Sequence, residues 1–121
     1  MNSATATRIA AAAGLLAVAL GAFGAHGLKD VLAQNGTAAI WEKAVLYHFI
    51  HAVMLFVLAE RKNLPAFAWW SFLAGIVIFS GSLYLLAVTN VRWLGAITPV
   101  GGVSFIAGWS CLLLFSKPQK S

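Results

Sequence analysis

The chain has 121 residues, of which 61% are hydrophobic and only 9% charged. Soluble domains carry roughly a quarter charged residues, so a water-soluble fold of this size could not hide so much apolar surface. A single domain set in lipid is therefore expected. The formal net charge of +5 does not point to nucleic acid. Arg8, Lys29, Lys43, Arg61, Lys62, Arg92, Lys117 and Lys120 flank apolar runs and form no patch, the distribution that meets lipid headgroups and sets topology.

Met1 to Thr7 is small and polar, and reads as a frayed end. The first span is expected at about 8–27, since about 20 residues at 1.5 Å each cross a hydrocarbon core of about 30 Å. Its length and the further spans behind it favour a retained helix over a cleaved signal peptide. Ala10, Gly14, Ala17, Gly21 and Gly24 recur at spacings of three and four, a smooth stripe that lets another helix approach closely.

Leu28 to Lys43 is the one sizeable polar connection, in which LKDVL suits a short interfacial helix. Asn35-Gly36 marks a turn, and Thr37 suits the N-cap of the second span, expected at about 40–60 with Trp41 and Lys43 as interfacial anchors. The match of Asn35-Gly36-Thr37 to a glycosylation acceptor is accidental in so short a loop. Glu60 to Pro65 ends that span, and the third is expected at about 66–88, with Ser71, Gly75 and Ser82 as a weakly polar stripe. The fourth, at about 93–115, holds Pro99, which is expected to bend it, with Gly101, Gly102 and Gly108 permitting close packing. The fold class is thus an all-α integral membrane protein, four transmembrane helices in an antiparallel bundle. Both termini then share a side with Arg8, Arg61, Lys62, Lys117 and Lys120, against Lys29, Lys43 and Arg92 opposite, which favours cytoplasmic termini.

All three histidines lie between Gly21 and His51. His48 and His51, three apart, project about 60° from one another on one helical face. That face continues through Trp41, Ala44, Leu55 and Ala59 and should look into the bundle, with Phe49, Val53 and Phe56 pointing away. Topology places His26, Tyr84, Thr98 and Glu42 in the same half of the membrane as His48, and Cys111 in the other. Cys111 is the only cysteine, so no internal disulfide forms.

The candidate polar cluster is accordingly His26, His48, His51, Tyr84 and Thr98. Three readings stay open for it: imidazoles satisfied by carbonyls, hydroxyls or interfacial water; a metal or haem site; and a proton or transport role. A helical first span turns His26 away from its own small-residue stripe, so convergence of the three would need a break at Gly24 or Gly27. The packing positions are Gly14, Gly21, Gly24, Gly75, Pro99, Gly101 and Gly102. An alternative for Pro99-Val100-Gly101-Gly102 is a broken helix whose freed carbonyls line a site.

No nucleophile–base pair, carboxylate pair, phosphate loop or zinc spacing occurs, and Asp30, Glu42 and Glu60 are the only acids. No enzyme, no firm metal site and no cofactor are expected.

GAFGAHGL at Gly21 to Leu28, YHFIH at Tyr47 to His51, FSGSLYLL at Phe79 to Leu86 and LGAITPVGG at Leu94 to Gly102 occur in that order, with a GW pair at Gly108-Trp109. This ordered set resembles the YgdD-like family of small membrane proteins, a family of unknown function, over about Arg8 to Phe115. The resemblance implies a four-span protein of the bacterial cytoplasmic membrane and supplies no reaction, substrate or cofactor. The expected function is structural or interactive, with lipid and a homo-oligomer or another membrane protein as partners. A small transporter or channel component, or a metal- or haem-binding protein, is the alternative.

Overall fold

The computed structural model describes residues 1–117. Among these the regular structure is helical throughout: α1 (Ser3–Ala25), α2 (Lys29–Asn35), α3 (Ala38–Ala59), α4 (Ala66–Gly75), a π-helical segment (Ile76–Ser80), α5 (Gly81–Thr89), a 3-10 segment (Arg92–Ala96) and α6 (Thr98–Phe115). Four stretches are long and apolar enough to cross a membrane: Ser3–Ala25, Ala38–Ala59, Ala66–Thr89 and Arg92–Phe115. Side chains such as Leu113, Phe115 and Val18 stand largely exposed on the outer faces, as expected of surfaces solvated by lipid.

Each helix end shows how its local sequence stops it. Asn2 caps α1 by accepting from the Thr5 amide at 2.8 Å. Ser3 Oγ donates to the Ala59 carbonyl at the end of α3 at 2.7 Å, and Thr7 Oγ1 to Glu60 at 3.1 Å. The expected frayed end is instead the first turn of a helix, held by hydroxyls that apolar periodicity does not register. Asn35-Gly36 closes α2 as the dipeptide predicts: Gly36 takes φ +67°, and the Thr37 amide reaches back to the Leu32 carbonyl at 2.9 Å, a six-to-one closure that favours glycine.

Thr37 precedes α3 but does not cap it with its side chain. Its fully buried hydroxyl donates to the Ala87 carbonyl at 2.6 Å. Asn35 Nδ2 donates to the carbonyls of Ala87 and Val88, both at 3.1 Å. The last carbonyls of α5, which no helical amide can reach, are thus satisfied from the α2–α3 corner. Trp41 is likewise buried instead of anchoring at the interface, and its indole N–H donates to the Leu20 carbonyl of α1 at 3.0 Å.

The third span is not the continuous α-helix its composition suggests. Five residues, Ile76–Ser80, are π-helical, and α6 crosses there so closely that a Cβ on Gly101 would strike the backbone of Phe79. In the fourth span Pro99 does not bend an existing helix. It lies in the first turn of α6, behind the 3-10 segment, where a missing amide costs little because first-turn amides have no partner within their own helix.

The small residues of α1 sort unevenly. Ala6, Ala10, Ala17 and Gly24 are buried, and a Cβ on Gly24 would collide with the Trp41 indole. Gly21 faces Val45 Cγ1 at 3.2 Å from a would-be Cβ, whereas Gly14 has open space, so Gly14 is not a packing requirement. Gly75 abuts the Phe105 ring, while a Cβ on Gly102 would sit 3.9 Å from Phe79, in ordinary contact. One apolar cluster, around Leu55, Leu58, Trp69, Phe72 and Phe105, fills the half of the bundle nearer the termini. A smaller one, around Leu32, Trp41 and Ala87, lies at the other end.

Candidate functional site

The inward face of α3 carries Trp41, Ala44, His48, His51, Leu55 and Ala59, all buried, while Phe49, Val53 and Phe56 are exposed. Sequence periodicity found that face correctly. His48 and His51 are 2% and 3% exposed respectively, so what each imidazole does is decided wholly by its protein neighbours.

His51 Nδ1 lies 2.7 Å from the Tyr47 carbonyl one turn earlier, and Trp109 Nε1 lies 3.0 Å from His51 Nε2. A carbonyl only accepts and an indole N–H only donates. The bonds therefore fix one tautomer: a neutral ring with its proton on Nδ1 and its Nε2 lone pair occupied. Phe105 stacks on this ring at 3.7 Å between centroids with 12° between planes. Phe72 and Trp109 meet it edge-on at 5.2 and 5.9 Å. The imidazole acts as a flat core residue with two polar ends, each taken.

His48 is different. Its Nδ1 lies 2.8 Å from the Tyr84 hydroxyl, and the phenol can donate or accept, so this bond fixes no tautomer. Tyr84 in turn packs on Trp41 with centroids 4.7 Å apart. His48 Nε2 is the one buried side-chain N or O atom without a hydrogen-bond partner among the described residues.

The other predicted members lie apart. His26 ends α1 on the exposed surface, with Nδ1 donating to the Ala22 carbonyl at 2.9 Å. Neither Gly24 nor Gly27 breaks the helix to turn it inward; instead Gly24 meets Trp41. Thr98 pairs with Ser82, their hydroxyls 2.6 Å apart. Since Ser82 spends its proton on the Phe79 carbonyl at 2.9 Å, Thr98 is the donor. The proposed five-residue cluster therefore resolves into an exposed cap, a His48–Tyr84 pair, a His51 core group and a Thr98–Ser82 pair. No group of three or more His, Cys, Asp or Glu with metal-binding geometry occurs among the described residues. Cys111 is partly buried against the larger core cluster.

Two residues of this site escaped the sequence reading, Trp109 and Phe105. The signal was present as Gly101, Phe105 and Gly108, which recur at spacings of four and three and are the buried positions of α6. Trp109 follows directly and turns its polar edge to His51.

A family model described as "Protein of unknown function (DUF423)" matches residues 20–102. The chain belongs to the DUF423 family. It is 49% identical over 104 residues to a "UPF0382 membrane protein" of Staphylococcus epidermidis, with 83% of this chain and 84% of the relative covered. It is 47% identical over 106 residues to "UPF0382 membrane protein YwdK" of Bacillus subtilis, covering 83% and 85%. No solved structure matches the chain. The DUF423 region contains all four motifs, from GAFGAHGL to LGAITPVGG, and hence both His48 and Tyr84. Trp109, the partner of His51, lies beyond it.

Proposed function

We propose that this DUF423 protein is a structural or interaction protein of the bacterial cytoplasmic membrane, without catalysis and without a cofactor, and the counterpart of the YgdD-like proteins it resembles. The observation carrying this reading is how polar groups within and beside the spans are used. Thr37, Trp41, Trp69, Ser80 and Ser104 each donate to a main-chain carbonyl of a neighbouring helix, at distances from 2.6 to 3.1 Å. Each such bond is worth about 0.6 kcal/mol in a bilayer, so together they stitch helices and leave little free to act on a substrate. His51 fits the same pattern, because its lone pair is already occupied.

The deciding measurement is the metal and haem content of the purified, detergent-solubilised protein beside a His48→Ala/His51→Ala variant. Metal-free, colourless protein is expected. Stoichiometric metal or a haem spectrum lost in the variant would sink the proposal.

Orientation follows from charge. Among the described residues Arg8, Arg61, Lys62 and Lys117 share the end where α1 begins and α6 finishes, while Lys29, Lys43 and Arg92 lie at the other; Lys120 lies outside the described residues. The positive-inside rule then favours cytoplasmic termini. A carboxy-terminal green fluorescent protein fusion should fluoresce, and a carboxy-terminal alkaline phosphatase fusion should be inactive. The opposite pair of results would reverse the topology.

A further inference from the structure

A groove of about 520 Å³ lies between α1, the short helix α2 and the first half of α3. Gly21 and Gly24 lie on its α1 side, where Val45 and the Trp41 indole pack close against them, Leu32 is part of its lining from α2, and Trp41, Val45 and Phe49 form the α3 wall. The volume falls within the roughly 300–1,000 Å³ of small-molecule sites. Along α3 the lining runs from Ala38 to Phe49, about 16 Å at 1.5 Å per residue. That is the depth of one leaflet, half of a hydrocarbon core of about 30 Å. Its outer end is level with α2 and the start of α3, at the polar boundary opposite the termini.

One ionisable group lines the groove, Glu42. It is exposed and sits at the shallow end, in the first turns of α3. A groove so walled and open to the bilayer accepts an acyl chain, because water at that depth would find almost no hydrogen-bonding partners. The chain alone gives no selectivity: lipid tails are as apolar as the wall, so moving one into the groove gains little. Discrimination falls on the headgroup. A carboxylate there attracts a primary ammonium, whose N–H groups can bond it and which a phosphatidylglycerol headgroup lacks, while Lys29, Lys43 and Arg92 at the same end suit the phosphate that both lipids carry.

We infer that the α1–α2–α3 groove is a binding site for one aminophospholipid of the leaflet opposite the termini, phosphatidylethanolamine in chemistry, with its chain beside Gly21, Gly24 and Phe49 and its ammonium on Glu42. The inference goes beyond the proposed structural role and shares no measurement with it.

The test is native mass spectrometry of the full-length protein, released from mild detergent after equilibration with equimolar phosphatidylethanolamine and phosphatidylglycerol. The wild type should retain the amine lipid in preference. Glu42→Gln should lower the amine-to-glycerol ratio by about two- to fivefold, the range for an exposed charge pair, and Glu42→Lys should lower it further. Ala38→Phe, at an exposed position on the groove wall, should reduce retention of both lipids while leaving the thermal melting unchanged. Equal retention by the wild type, or a ratio unaltered in Glu42→Gln, would overturn the inference. So would a lipid-free dimer, because a second copy would then fill the groove.

Discussion

The two ends of the bundle are built differently although one helix, α3, serves both. Toward the termini, α3, α4 and α6 close around Leu55, Trp69, Phe72 and Phe105, and the imidazole of His51 is one more plate in that stack. Toward the other end, α1 and α2 leave a groove beside α3, and carbonyl bonds from Thr37, Asn35 and Trp41 do the joining. The difference shows most clearly in two histidines one turn apart. His51 has both nitrogens bonded, whereas His48 has one partner and one unpartnered nitrogen. Burial alone would have made them equivalent. Their neighbours on α6 and α5 separate them.

Breaking the tight end should have the largest effect. Gly101→Ala places a methyl against the Phe79 backbone, which cannot rotate aside as a side chain can. A loss of about 3 kcal/mol, the upper range for overpacking, is expected in reversible unfolding by sodium dodecyl sulfate in mixed micelles. A loss under about 0.5 kcal/mol would mean that the helices are not in contact there. His51→Ala comes next, at about 2–3 kcal/mol, because it strands the Trp109 N–H and opens a gap beside Phe105. Trp109→Phe should recover part of that loss in the His51→Ala background, since it removes the stranded donor. If the two losses simply add, the Trp109–His51 bond is absent.

The looser end should tolerate more. Gly24→Ala should cost about 1–2 kcal/mol by displacing the Trp41 indole. His48→Leu should cost less than about 1 kcal/mol, since it exchanges one bond for the removal of an unpartnered nitrogen. A double-mutant cycle of His48→Leu with Tyr84→Phe should return about 0.6 kcal/mol of coupling, the average for intramembrane hydrogen bonds. Coupling above about 2 kcal/mol would make the pair more than a strut. Smallest of all is Gly14→Ala, which meets open space and should fall within about 0.5 kcal/mol of wild type or slightly above it, because alanine is the better helix former. A destabilisation above about 1 kcal/mol would show that a partner covers that face.

How far the sequence reached follows from which physics it encodes locally. Hydrophobic run length gave four membrane-spanning helices, because crossing a bilayer requires about 20 apolar residues and satisfied backbone groups whatever the neighbours are. Glycine at Gly36 stopped α2 through its own backbone freedom, and the 3.6-residue period turned His48 and His51 inward together. These depend on the chain near each residue. The π segment at Ile76–Ser80, the first-turn placement of Pro99 and the open space at Gly14 do not. They depend on where a second helix crosses, as Gly101 does over Phe79. The polar cluster dissolved for the same reason. Chain order leads one to expect His26, His48 and Thr98 in one half of the membrane, but only the packing of α3 against α5 and α6 decides which side chains meet. A hydrogen bond needs its partner within about 3 Å, and no spacing along the chain specifies that.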